Sequence, residues 1–249
     1  MDDLTQDAFL CGKLQLWQPR HGYRAATDPV LLAAACPALP GQSVLDLGCG
    51  VGAAAFCLAR RVPDLRLAGL EVQPDYAALA RRNAVENGIA MRVEVGDLAD
   101  MPKALRVDFD HVIANPPYYP KGGTPSPNAG RATALQIDTP LGDWVQAASR
   151  RLAPGGWLTL ICGADGLPEV LAAMASKLGS AAVLPLTARE GKPALRILLR
   201  ARKTGRAAFR LLAPFVIHHG TFHDGDRESY TARASEILRG GESLSDEFR

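Results

Sequence analysis

Residues 43–62 read SVLDLGCGVGAAAFCLARRV. A short apolar run, Val44 to Leu47, meets three closely spaced glycines, Gly48, Gly50 and Gly52, and then an alanine-rich stretch ending in Arg60 and Arg61. That succession is a strand, a tight turn and a helix. Glycine at such a turn lets backbone approach a ligand, because no Cβ stands between them.

The same alternation continues on either side. Upstream, TDPVLLAAACPALPG (residues 27–41) predicts a short helix with Thr27 or Asp28 as its cap, Pro29 in its first turn and Pro37 at its end. Residues 1–26 show no clear periodicity. Downstream come a strand in LRLAGLE, a helix in PDYAALARRNAVENG closed by Gly88, and strands in MRVEVGD and FDHVIAN. A Pro/Gly-rich loop follows, then a helix in LGDWVQAASRRLAPGG, a strand in WLTLIC and a helix near LPEVLAAMASKLG. The extended candidates AAVLPLT, ALRILLRA and FRLLAPFVIHH close the series. Strands alternating with helices imply right-handed crossovers and a mostly parallel, doubly wound α/β sheet. The final consecutive strands add an antiparallel edge. We expect one domain over 1–249: an N-terminal extension (1–40), a core (41–202) and a C-terminal strand and tail (203–249).

Composition restricts the function classes. The 249 residues are 47% hydrophobic and 22% charged, enough to bury roughly 70–75% of the unfolded chain's surface. No apolar run reaches the ~18 residues of a membrane span, and the opening MDDLTQDAF is acidic, so the expected location is cytoplasmic, without a membrane partner. Five scattered cysteines with no C-x-x-C pair suggest free thiols and no metal. Net charge is +2, yet residues 189–210 hold eight basic residues against one acidic. That block suits either a polyanion or a solvated face.

Three strands in succession end in a chemically loaded turn: Asp46 with Gly48 and Gly50, then Glu71, then Gly96-Asp97. Open α/β sheets bind ligands at this carboxyl edge, where a carboxylate can accept hydrogen bonds from ribose hydroxyls. The spacing G-x-G-x-G, preceded by an aspartate, differs from the G-x-G-x-x-G of nicotinamide sites, and no Tyr-x-x-x-Lys pair accompanies it. As a set, DLGCGVG, Glu71 and Gly96-Asp97 resemble the class I S-adenosylmethionine-dependent methyltransferases, a Rossmann-like fold. The resemblance implies Gly48 and Gly50 against the methionine part of S-adenosylmethionine, Asp46 near its amino group, Glu71 on the ribose and Asp97 near the adenine.

The strand FDHVIA runs into Asn115-Pro116-Pro117-Tyr118. An exocyclic or amide amine is a poor nucleophile, its lone pair delocalised into the adjoining π system. Two acceptors placed together, the Asn115 side-chain oxygen and the Pro116 carbonyl, can take its hydrogens and stabilise developing positive charge. Pro117 stiffens the backbone, and the Tyr118 ring can stack on a base for ~1–3 kcal/mol. The alternative is a rigid strand exit. In this position the motif resembles the amino-methyltransferases, which implies Asn115, Pro116 and Tyr118 as the catalytic group and requires no general base.

Residues 18–34, QPRHGYRAATDPVLLAA, together with the tail HHGTFHDGDRESYTARASEIL, resemble the bacterial tRNA1(Val) N6-adenine methyltransferase group. The resemblance implies an adenine in tRNA as substrate, Tyr23 to Asp28 covering the cofactor with Thr27 against it, and Tyr23, Arg24, Lys121 and Arg131 toward the RNA. The sequence keeps Arg131-Ala132 but lacks the arginine, histidine and glutamate that follow in that group. Release-factor glutamine, DNA or ribosomal RNA remain alternative substrates, and an inactive cofactor-binding module is the non-enzyme alternative.

Overall fold

The computed structural model describes residues 3–117, 139–174, 177–222 and 229–249. It begins with a hairpin absent from the sequence reading: β1 (Leu4–Phe9) pairs antiparallel with β2 (Leu14–Pro19). The turn runs through Leu10, Cys11 and Gly12, all at positive φ (51°, 53° and 86°). Two of these are side-chain-bearing residues that rarely adopt that conformation, so the usual Asn-Gly signal of a hairpin is missing.

Helix α1 (Thr27–Ala35) is buried along Pro29 to Ala35. Its N-cap is Ala26, with no side-chain hydrogen bond, so neither Thr27 nor Asp28 caps it. Both lie inside the first turn, and Asp28 instead meets Arg196 at 3.3 Å. Then follow β3 (Ser43–Leu47), α2 (Ala53–Arg61), β4 (Arg66–Glu71), α3 (Pro74–Glu86), β5 (Met91–Val95) and β6 (Phe109–Ala114). Helix α4 (Leu141–Arg151) runs directly into β7 (Leu152–Gly163), so residues 152–156, read as a helix end, are extended. After α5 (Leu167–Met174) come β8 (Leu178–Thr187) and β9 (Ala194–Lys203). FRLLAPFVIHH is not one strand but two short ones, β10 (Arg210–Leu211) and β11 (Phe215–Val216), both parallel to β8. A four-residue helix, α6 (Ala232–Ser235), opens the tail, with Thr231 Oγ1 accepting from Ala234 N–H.

The large sheet has the order β10-β8-β9-β7-β6-β3-β4-β5, with β11 also on β8. Strands β3 to β7 are parallel, and β9 runs antiparallel to β7 and β8, as the alternation followed by consecutive strands predicts. Side chains alternate into two cores. Val44 and Ile113 face α1 and α2, while Leu45, Leu47, Val112 and Ala114 face α4 and α5. Each fully buried leucine or isoleucine contributes about 1.5–3 kcal/mol relative to exposure. From β3 the chain moves outward to β4 and β5 and then returns to the other side of β3 as β6. The switch point therefore lies between β3 and β6, where doubly wound sheets open a crevice for ligand.

The hairpin is seated on α3 by two asparagines four residues apart. Asn83 Oδ1 accepts from Trp17 N–H at 2.8 Å, and its Nδ2 donates to the Trp17 and Val51 carbonyls, both at 3.1 Å. Asn87 treats Gln15 in the same way, at 3.0 and 2.8 Å. The free edge of β2 is thus satisfied by side-chain amides that imitate a neighbouring strand, which blunts an otherwise open edge. The consequence is positional: residues 19–26 are carried to the carboxyl edge of the sheet.

Candidate active site

At the switch point a cleft of about 740 Å³ is lined by the turns after β3, β4, β5 and β6, by Tyr23 and Tyr76, and by Trp144 from α4. Gly48, Gly50, Glu71, Asp97 and Asn115, from four separate strand ends, all line it.

Gly48 has φ +66°, and a Cβ there would stand 2.5 Å from Trp144 Cη2. The loop therefore needs glycine twice over, for backbone conformation and for the ring against it. Gly50 N–H donates to Glu71 Oε2 at 2.8 Å, and Gln73 N–H to Oε1 at 2.9 Å. Glu71 is 3% exposed, and burial raises its pKa while these amides oppose the shift. One carboxylate thus fixes the glycine turn from the neighbouring strand. Asp97 Oδ1 accepts from Ala99 N–H at 2.7 Å, shaping the turn after β5.

Asp46 lies behind the glycine loop, 2% exposed. Burial pushes its carboxyl up to about 8, and the nearby Glu71 charge adds to this, against a hydrogen bond from the Ala55 amide. Its Oδ2 is buried with no hydrogen-bond partner among the described residues. An orphaned buried carboxylate oxygen costs about 1–3 kcal/mol or more, and a cationic group of a ligand would relieve it. This donor set, with the close backbone approach at Gly48 and Gly50, fits the amino acid portion of S-adenosylmethionine.

Asn115 follows β6 directly, and its Nδ2 donates to Tyr23 Oη at 3.0 Å. Tyr23 in turn has its carbonyl held by Tyr76 Oη at 3.0 Å. The phenol of Tyr23 is raised above its ordinary pKa, first by burial and then by the charges of Asp28 and Asp46. The sequence reading brought Tyr23 to this region but missed Tyr76 and Trp144. Nothing in an amphipathic helix distinguishes a cleft aromatic from a core aromatic, so those two had no separate signal.

Three groups read from the sequence stand apart from the described lining of the cleft. Arg24, expected toward RNA, donates to Thr5 Oγ1 (2.7 Å), the Pro19 carbonyl (2.8 Å) and Asp7 (2.6 Å), and so ties the hairpin to the loop that follows it. Thr27 opens α1 and is not among the described residues lining the cleft. The basic block of residues 189–210 is largely structural. Arg200, 7% exposed, donates to the Ala35 carbonyl and lies 3.9 Å over the Phe248 ring. Arg189 donates to the His219 carbonyl, Arg202 to that of Gly155, Lys203 to that of Leu152 and Arg210 to that of Phe248. An arginine that caps a buried carbonyl looks, in sequence, like one awaiting a phosphate. Tyr118, Lys121 and Arg131 lie outside the described residues. His218, which stacks on Tyr230 at 4.9 Å, and His219 and His21 do not line the cleft.

The strand order, the glycine turn braced by an acid from the next strand and the buried aspartate behind it define a class I S-adenosylmethionine-dependent methyltransferase. A family model described as methyltransferase small domain matches residues 27–185, and the chain belongs to that family. It is similar to the tRNA1(Val) (adenine(37)-N6)-methyltransferase of Porphyromonas gingivalis, 32% identical over 88% of this chain and 90% of the relative. The protein of the same description from Aeromonas hydrophila is also 32% identical, over 82% of this chain and 87% of the relative. A solved structure from Agrobacterium tumefaciens, described as a predicted O-methyltransferase, superposes with a TM-score of 0.69 at 27% identity, covering 87% of this chain and 97% of that one.

Proposed function

We propose that this protein transfers a methyl group from S-adenosylmethionine to the N6 amine of an adenine in tRNA. The observation that carries the reading is Asn115 at the switch point, its amide nitrogen engaged by Tyr23 so that Oδ1 is the acceptor end of the side chain. The P. gingivalis and A. hydrophila relatives, named for adenine N6 methylation of tRNA1(Val), support the substrate.

When bound, S-adenosylmethionine supplies an electrophilic methyl on a sulfonium. Asp46 would hold its amino group, Gly48 and Gly50 its methionine chain, Glu71 the ribose, and Asp97 with Leu98 the adenine. Asn115 Oδ1 and the Pro116 carbonyl would accept the two hydrogens of the target amine, drawing its nitrogen toward a tetrahedral geometry and stabilising the positive charge that develops there. Asn115 and Pro116 would keep the amine nitrogen in line with that methyl group, and the surplus proton of the methylated amine would pass to water. Positioning provides most of the acceleration.

The described cleft lining has no histidine or lysine, both carboxylate oxygens of Glu71 are engaged by backbone amides, and Asp97 Oδ1 is engaged by one. An amine acceptor suits that lining, because its proton becomes acidic only after methylation. A hydroxyl acceptor would need a base. Phosphate contacts would fall to Lys121, Arg131 and the outward cations Lys192 and Arg206 rather than to the whole basic block.

The test is to incubate the protein with labelled S-adenosylmethionine and either unmodified tRNA or a release factor, and to identify the product by mass. N6-methyladenosine in tRNA is expected. Label on glutamine, or none on adenine, would refute the reading. Asn115→Ala is expected to abolish transfer while cofactor affinity stays within a few-fold.

A further inference from the structure

We infer that Tyr23 is a positioning residue for Asn115: its hydroxyl holds the amide nitrogen so that the opposite end, Oδ1, is presented to the target amine. The inference rests on the amine-binding role proposed for Asn115. It assigns Tyr23 to orientation of the catalytic side chain rather than to contact with RNA.

A side-chain amide has two ends of nearly the same shape and opposite polarity, and its terminal torsion is broad and two-fold. Rotated by 180°, Asn115 would aim two N–H donors at an incoming amine and repel it. Something must therefore favour one rotamer before substrate arrives. The only group that the described structure places on Asn115 Nδ2 is Tyr23 Oη, at 3.0 Å. A phenol oxygen carries lone pairs as well as a proton, so Tyr23 Oη accepts this bond while its own proton turns elsewhere.

The phenol is itself aimed by backbone anchors on both sides. Tyr76 Oη donates to the Tyr23 carbonyl at 3.0 Å. Arg24, the next residue, is fixed by its three bonds to Thr5, Pro19 and Asp7, and Ala25 N–H donates to Gln18 Oε1 at 2.8 Å. Gly22 precedes it at φ +108°, and a Cβ there would stand 3.0 Å from Tyr76 Oη. The turn at Gly22 is thus closed on the same hydroxyl that holds Tyr23. The hairpin, the loop after it and α3 form one brace whose product is the orientation of a single amide.

Two measurements test this. In the ligand-free, isotope-labelled protein, the Asn115 side-chain NH2 signal is identified by its loss in Asn115→Ala. Solvent exchange of those hydrogens is expected to accelerate about 10-fold or more in Tyr23→Phe, which keeps the ring and removes the acceptor, while backbone signals away from the cleft stay in place. Unchanged exchange overturns the inference whatever the substrate proves to be. The second measurement is single-turnover methylation of tRNA in a double-mutant cycle. Tyr23→Phe is expected to slow transfer about 10-fold, with KM for tRNA and cofactor affinity within about 3-fold. In the Asn115→Asp background the same change is expected to have less than about a 2-fold effect, since a carboxylate presents an acceptor in either orientation. Equal losses in both backgrounds, or a loss confined to KM, would show that Tyr23 acts on substrate directly and overturn the inference. No methylation of tRNA by the unaltered protein would refute the proposed function instead, and the exchange measurement would still decide the role of Tyr23.

Discussion

Gly48→Ala isolates what the glycine turn requires. The residue sits at φ +66°, and the added methyl carbon would lie 2.5 Å from Cη2 and 2.9 Å from Cζ3 of Trp144, a ring only 7% exposed. The left-handed conformation costs an alanine roughly 1–2 kcal/mol, and overpacking a well-filled site typically adds another 1–3, so the expected total is about 2–5 kcal/mol. The two parts separate in a cycle with Trp144→Leu, because a leucine does not reach the position of Cη2. In that background Gly48→Ala should retain only the conformational part, giving a coupling of about 1–3 kcal/mol. Urea unfolding of the ligand-free protein, followed by far-ultraviolet circular dichroism, provides all four stabilities. A Gly48→Ala cost equal in both backgrounds would show that the ring does not bear the clash. A cost below about 1 kcal/mol in the unaltered background would refute the conformational argument as well.

Binding of a cationic amino group beside Asp46 requires the carboxylate, whereas the free carboxyl sits at about 8. Cofactor affinity should therefore rise with pH, approaching tenfold per unit between about pH 6 and 7.5, with close to one proton released on binding; calorimetry in buffers of different ionisation enthalpy checks this, and pH-independent affinity would refute it. The same raised pKa makes Asp46 a stabilising group only while protonated, so its contribution to the ligand-free fold is present below about pH 4 and is lost as pH rises toward 8. His111 has the opposite sense: burial lowers its pKa to about 4, so the folded state holds it neutral. Its contribution to stability is present above about pH 6.5 and lost as pH falls toward 4, on the order of 2–3 kcal/mol, and a urea midpoint in His111→Gln that falls just as steeply over that window would contradict this. Arg200→Ala should lower stability by about 2–4 kcal/mol, from the unsatisfied Ala35 carbonyl and the lost stacking on Phe248, yet leave the salt dependence of tRNA binding unchanged. A salt slope reduced by about one would instead make Arg200 a phosphate contact.

The alternation of strands and helices was legible because period-2 and period-3.6 hydrophobic patterns report burial on one or both faces, and here the sheet is buried on both. Its carboxyl edge was legible through Gly48, Glu71, Asp97 and Asn115, each of which stands at or just beyond a strand end. The hairpin was not, because its turn uses Leu10 and Cys11 at positive φ and because its outer edge is satisfied by Asn83 and Asn87, more than sixty residues away. The basic block was legible only as charge. Its partners are carbonyls of α1, β7 and the tail, which become neighbours only when β9 inserts between β7 and β8.

By itself, then, the sequence determined the order of elements and which residues stand at strand ends, since both follow from local periodicity and turn chemistry. The tertiary structure decided what those residues do to one another. It set Trp144 over Gly48, braced Gly50 with Glu71, left one buried carboxyl oxygen of Asp46 without a partner among the described residues and brought Tyr23 to Asn115 across 92 positions of chain. These are pairings between distant segments, and their energies depend on burial and direction, which a chain acquires only when it folds.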